Sequence, residues 1–333
     1  MTTVFVSHPQ SKLAHYFGDR ATAALQAIAQ VRFNPTDNDL SSAELAELAQ
    51  GCDAIISYRQ TVGDEALFAA LPDLKAFVRC AIDIRNIDLA SARRHGVLVT
   101  QASAGFIASV SEWIVGVMID LGRHISASTA LYHAGQTVVP AMGRELRGST
   151  LGVIGYGQIS RYLCDVALAL GMRIVVHDPY ASIERAELEQ VGLDALLARS
   201  DFVVCLAPAT EATENLMNAA AFAAMQPHAF FINASRGNLV DEDALVAALD
   251  AGSIAGCALD VGRAPDQMPS PRVAAHPRVI ATPHIGGLTP AAVEHQAMET
   301  VAQLGELFQG RVPKGAVNAP EARRWQKAFG TRG

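Results

Sequence analysis

Short apolar runs rich in β-branched residues alternate with segments of helical periodicity along most of this chain, and that alternation leaves few folds open. Runs at 4–6, 53–58, 76–80 and 97–100 read as strands, with 41–50 and 63–70 between them suited to helices. A second series is sharper, with strands at 149–154, 172–177, 202–206, 229–233, 254–259 and 279–282 and a helix over 158–170. Strands that alternate with helices build parallel sheets, because a parallel neighbour can be reached only by a crossover. Between the two series lie a long helix over 106–122 and a looser stretch to Gly148 that contains Gly135, Pro140 and Gly143. A closing helix spans 290–308, late enough to return the chain to the first domain and make that domain discontinuous. The fold class expected is α/β, with two Rossmann-like or flavodoxin-like domains, each a doubly wound parallel sheet.

Composition agrees with that class and excludes others. The chain has 333 residues, enough for two domains of ~150. Only 18% of them are charged, against ~25% in an average domain, as suits sheets covered on both faces. A net charge of −7 speaks against nucleic acid as a partner, since phosphate backbones are met by basic surfaces. The longest uncharged run, 215–235, is broken by Asn218, Gln226, Pro227 and His228, so no membrane span is expected. The first residues lack a basic region followed by an apolar stretch and a cleavage site, and a cytoplasmic protein is the expectation. Cys52, Cys80, Cys164, Cys205 and Cys257 are scattered without a Cys-x-x-Cys pair, which predicts buried, reduced thiols and no metal site. Arg323, Arg324, Lys327 and Arg332 make a basic tail that reads as a solvated terminus.

The strand Leu151-Gly-Val-Ile154 runs into Gly155-Tyr-Gly157-Gln-Ile-Ser160 and then a helix, the context a dinucleotide fingerprint requires. Gly155 permits the tight turn, and Gly157 lets a pyrophosphate approach the free N–H groups of the helix N-terminus. The third position is Ser160 rather than Gly or Ala, so helix and strand must pack around a hydroxyl. Asp178 ends the next strand at the spacing of a carboxylate that binds a ribose diol. Its charge repels a 2′-phosphate and favours NAD over NADP.

Two later clusters are more specific. Phe231-Ile-Asn-Ala-Ser-Arg236-Gly puts an arginine at the carboxyl end of a strand, and Ala281-Thr-Pro-His284-Ile-Gly-Gly287 puts a histidine after another. With these motifs the chain resembles the D-isomer-specific 2-hydroxyacid dehydrogenases, from Leu74-Lys75 through Asn86-Ile-Asp88 and the region of Glu112 to Thr289. The resemblance implies an NAD-dependent oxidoreductase that interconverts a D-2-hydroxy acid and its 2-keto acid. In it Arg236 anchors the carboxylate and carbonyl, His284 is the acid/base, and Asp260 orients the nicotinamide carboxamide. It further implies that Gln158, Ile159, Pro208, Ala234, Ser235, Arg236, His284, Gly286 and Gly287 line the cofactor. Arg59, Ile82, Asp83, Arg236 and His284 are to line the substrate, with no metal. The implied substrate domain is 1–101 plus 289–333. The implied NAD-binding domain is 102–288, including an arm of about 102–150 that pairs two subunits, and the active site is placed in the cleft between domains.

Two departures stand out. The family's Asp-Val-Phe-x-x-Glu-Pro stretch, whose glutamate partners the histidine, is here Asp260-Val-Gly-Arg-Ala-Pro265-Asp266. Proline at 265 cannot serve, and Asp266 is the candidate substitute, weighed against a solvated loop residue. The glycine-rich segment that receives the substrate carboxylate is here Ala81-Ile-Asp83-Ile-Arg85-Asn86. Asp83 adds a negative charge there unless it points away or pairs with Arg79, Arg85 or Arg59. These departures keep an alternative open, a catalytically weak or inactive NAD(H)-binding regulator or scaffold on the same fold.

Overall fold

In a computed structural model, which describes residues 2–330, the chain forms two compact units. One runs to Gly105 and resumes at Pro290; the other is Phe106–Thr289. The first contains strands β1 (Thr3–Val6), β2 (Gln30–Phe33), β3 (Ala54–Ser57), β4 (Ala76–Arg79) and β5 (Leu98–Gln101), all parallel, in the order β2-β1-β3-β4-β5. The second contains β6 (Thr150–Ile154), β7 (Arg173–His177), β8 (Leu188–Gln190), β9 (Phe202–Cys205), β10 (Phe230–Asn233), β11 (Gly256–Leu259) and β12 (Val279–Ala281). Its order is β12-β11-β10-β9-β6-β7-β8, again wholly parallel. The first order is flavodoxin-like and the second Rossmann-like, so both sheets are doubly wound.

Side-chain alternation explains why the strands are apolar throughout. In β4, Ala76 and Val78 enter the cluster on one face and Phe77 that on the other. In β9, Phe202 and Val204 separate in the same way from Val203 and Cys205. Each unit therefore has two apolar layers, one per sheet face. All five cysteines are free. Burial pushes the thiols of Cys164 and Cys205 up to about 12, so these thiols are inert.

Three segments differ from expectation. The edge strands β2 and β8 carry Gln30, Arg32, Glu189 and Gln190, and their exposure hides them from an apolar-run criterion. The stretch before Gly148 contains a helix, Ile125–His133, none of whose residues is buried. The basic tail is not a solvated terminus. It forms a helix, Arg323–Phe329, whose Trp325 is 4% exposed and donates from its indole to the Leu307 carbonyl at 3.1 Å. Arg324 donates to the Leu71 carbonyl at 2.7 Å, and Arg332 lies outside the described residues. The helix Pro290–Phe308 joins the first unit, burying Ala297, Val301, Leu304 and Leu307 in its core.

Among the described residues no helix is long and apolar enough to cross a membrane, and no cluster of His, Cys, Asp and Glu is arranged to hold a metal.

Candidate active site

Because every strand of the second sheet runs the same way, the loops that follow them emerge at one edge. The winding reverses between β6 and β9, the point where open α/β sheets take ligands. The strand order sets Gly155 and Asp178, after β6 and β7, on one side of that point. Ser235 and Arg236, Asp260 and His284, after β10, β11 and β12, lie on the other.

Gly155 has φ of +89°, a left-handed conformation that side chains disfavour, and a Cβ there would lie 2.8 Å from the Ala207 backbone. Gly157 caps the helix Gln158–Ala169, and a Cβ on it would enter open space. Gln158 is exposed and Ile159 half-buried in the first turn, while the exposed Pro208 accepts the Thr213 hydroxyl at 2.7 Å. Ser160 answers the question its hydroxyl raised. It is buried and donates to the Gly155 carbonyl at 2.6 Å, bracing the turn it follows. Asp178 accepts from Tyr156 N–H at 2.7 Å on one oxygen and from Tyr180 and Ala181 N–H at 2.8 and 3.1 Å on the other. Burial works to raise its pKa, yet these three donors outweigh it and hold the carboxyl below its ordinary range. A bare glycine cradle, free helix N–H groups and an ionised carboxylate fit a dinucleotide.

Asn233, fully buried at the end of β10, accepts from Ser235 N–H at 3.0 Å and donates to the Arg236 carbonyl at 2.9 Å. Arg236 is half-buried and opens the short turn Gly237–Leu239. Asp260, 4% exposed, accepts the Thr282 hydroxyl at 2.6 Å and Ile285 N–H at 2.8 Å on one oxygen, and Gly286 N–H at 2.7 Å on the other. All three donors flank His284, which itself sits at φ of +57°, so one carboxylate holds the histidine's loop in a sparsely populated conformation. This use of Asp260 and Thr282 was not visible in the sequence, because it links the ends of two strands.

Past Asp260 the chain folds back on itself. Gly262 N–H donates to the Gln267 carbonyl at 2.8 Å, Ala264 N–H to the Met268 carbonyl at 3.0 Å, and Gln267 has φ of +59°. The backbone of Asp266 belongs to the turn Pro265–Gln267, and its side chain lies outside the described residues.

The carboxyl edge of the first sheet has its own hub. Arg79, 4% exposed at the end of β4, donates to the Tyr58 carbonyl, to the Arg59 carbonyl at 3.1 Å and to the Asp83 carbonyl at 2.9 Å. Asp83 is paired with Arg85, whose Nη2 and Nε reach its oxygens at 2.6 and 3.0 Å, so the acid's charge is compensated within its own loop. Ile82 is 38% exposed beside it, and Arg59 is half-buried. Arg79 was missed as a site-shaping residue, although an arginine closing the run Ala76-Phe-Val-Arg79 was its signal.

Fold and site together define a dinucleotide-binding α/β protein of two units. Residues 115–286 match the family model described as D-isomer specific 2-hydroxyacid dehydrogenase, NAD binding domain. The chain is 34% identical over 302 residues to a D-3-phosphoglycerate dehydrogenase of Synechocystis sp., covering 89% of this chain and 53% of that one. It is also 34% identical over 294 residues to an (S)-sulfolactate dehydrogenase of Chromohalobacter salexigens, covering 87% and 95%. A Polaromonas crystal structure of a protein described as a D-isomer specific 2-hydroxyacid dehydrogenase shares the fold, with a TM-score of 0.87, 23% identity and coverage of 95% and 99%. The chain belongs to the D-isomer-specific 2-hydroxyacid dehydrogenase family, and NAD is the cofactor of its second unit. It spans about half the length of the first phosphoglycerate dehydrogenases it matches, 53%, 49% and 46%.

Proposed function

We propose that the protein interconverts a D-2-hydroxy acid and its 2-keto acid with NAD(H). The observation that carries this reading is the convergence of Arg236, Asp260 and His284 at three neighbouring strand ends, on the same edge as the Gly155 turn. NAD, when bound, accepts or supplies the hydride. Arg236 binds the acid's carboxylate and 2-oxygen through its planar fork. His284 gives a proton to the 2-keto oxygen in reduction and takes it back in oxidation. Asp260 steadies the His284 loop and offers its remaining lone pairs to the nicotinamide carboxamide. Gly155, Gly157, Gln158, Ile159, Asp178, Pro208, Ala234, Ser235, Gly286 and Gly287 are the proposed cofactor contacts. Asp178 makes NADH the better cofactor than NADPH. Asp266 is the proposed partner of His284, and Arg59, Ile82 and Asp83 are proposed contacts of the acid.

NADH oxidation across glyoxylate, hydroxypyruvate, phenylpyruvate and a 2-keto acid with a second anionic group tests the reading. Turnover with at least one acid is the expected result. Tight NADH binding without turnover on any acid overturns it in favour of the regulator or scaffold. We further propose a cytoplasmic homodimer paired through the arm, supported by its exposed apolar residues, among them Val139 at 80% and Met142 at 97%. Sedimentation as a monomer at micromolar concentration rules the dimer out.

A further inference from the structure

The segment after Asp260 departs most from the family's pattern, and its geometry ties it to the turn that carries Arg236. A Cβ on Gly237 would fall inside the Gly262 carbonyl, so the two loops touch backbone to backbone. A Cβ on Gly262 would lie 2.8 Å from the Met268 carbonyl, so no aromatic side chain fits there and the segment takes its own path. That path leads Arg263 across the loop after β10. Its Nε donates to the Val240 carbonyl at 3.1 Å, and its Nη2 to the Asn238 carbonyl at 3.0 Å. The same nitrogen reaches the Asn215 side-chain oxygen at 2.6 Å and Glu214 at 2.9 Å, while Arg263 N–H donates to Glu242 at 3.2 Å. Asn215 itself sits at φ of +52° and donates its N–H to the Asn238 carbonyl at 2.8 Å. Four oxygens, of Glu214, Asn215, Asn238 and Val240, thus close on one guanidinium, and Glu242 holds the backbone beside it.

We propose that Arg263 is a positioning residue for Arg236, setting where its fork meets the carboxylate of a 2-keto acid; this rests on the functional reading above. A planar cation with donors on two edges can serve the Val240 carbonyl and the Asn238, Asn215 and Glu214 oxygens at once, which an ammonium cannot. Because a displacement of about 1 Å in a binding group costs up to ~100-fold in rate, a strut outside the site controls affinity within it.

The test uses the whole chain, with NADH and either a turned-over acid or oxamate, an unreactive amide analogue of a 2-keto acid. Arg263→Ala is expected to raise the KM for the acid and the oxamate dissociation constant together, each about tenfold, with kcat and NADH affinity within about threefold. Arg263→Lys should fall between Ala and wild type, and added guanidinium should restore oxamate affinity to the Ala variant alone. Asn215→Gly keeps the left-handed backbone while removing one acceptor, and should weaken oxamate about threefold. Unchanged oxamate affinity in Arg263→Ala overturns the proposal. So does an equal loss of oxamate and NADH affinity without rescue, the mark of a merely damaged fold. Wild-type protein that binds NADH and oxamate but turns over no acid overturns the enzyme reading instead, and the oxamate arm still decides the role of Arg263. Wild-type protein that neither binds oxamate nor turns over any acid overturns both.

Discussion

At the carboxyl edge of the second sheet, carboxylates fix the loops after β6 and β12. Asp178 accepts three backbone N–H groups around the glycine turn, and Asp260 accepts two N–H groups and a hydroxyl around His284. At the edge of the first sheet the fixing group is a buried guanidinium, and Arg79 draws in the carbonyls of Tyr58, Arg59 and Asp83. A trans peptide points its N–H away from its carbonyl, so loops whose carbonyls turn toward Arg79 turn the amides of Arg59, Gln60 and Ile84 the other way.

The hubs also differ in their neighbours. His8 is buried close to Arg79, and burial, reinforced by that cation, lowers its pKa to about 3. Asp178 is held below its ordinary range by its N–H donors in spite of burial. The first edge therefore keeps a neutral histidine beside a fixed cation, and the second keeps the ionised Asp178 beside amides.

The largest effect that sharpens this contrast is expected at His284. His284→Phe should lower kcat about 1,000-fold while NADH affinity stays within about twofold, by steady-state kinetics and fluorescence titration. A smaller fall, under tenfold, would move the proton transfer elsewhere. Arg79→Met leaves three carbonyls without their donor and should cost about 3 kcal/mol in urea unfolding, with Arg79→Lys recovering part. A cost below about 1 kcal/mol would deny Arg79 its role as hub. Asp260→Asn turns an amide NH2 toward donors and should cost about 2 kcal/mol and slow turnover; equal stability would mean that the His284 loop is held by other contacts.

The mildest prediction concerns acid. The folded pKa of His8 lies below its unfolded value of ~6.5, so its contribution is full above that pH. Stability is then lost as pH falls toward about 3, at up to ~1.4 kcal/mol per pH unit. Asp178, also lowered, contributes above the ordinary carboxylate range of ~4 and loses its share only below it. Acid should weaken the first unit before the second, and His8→Leu should flatten the slope between pH 6 and about 4.5 in urea titrations. Parallel curves for wild type and variant would remove His8 from the comparison.

Much of this was legible in the sequence where a property is local. The closing helix over 290–308 has its predicted ends, and the central strands lie within two residues of the predicted runs, because apolar alternation and breakers act over a few residues. The glycine turn was legible by motif, and the same motifs single out Asp178, Arg236 and His284 as candidates. The edge strands β2 and β8 were not, since half-exposed strands mix polar and apolar residues. The tail misread has a similar cause. Four basic residues suggested solvent, yet Trp325 and the carbonyl-seeking Arg324 dock it, and neither contact has a local signal.

By itself the sequence determined the central strands and the long helices and singled out the candidate side chains, because both follow from short-range periodicity and from residue type at fixed spacing. Tertiary structure alone decided that β10, β11 and β12 lie side by side and so deliver Arg236, Asp260 and His284 to one edge. It alone assigned Arg79, Asp260 and Arg263 their partners. All of those partners but Asp83, four residues from Arg79, lie 20 or more residues away, and contacts such as Val99 N–H to the Asn318 side chain, 219 residues apart, exist only once the sheet has ordered its strands.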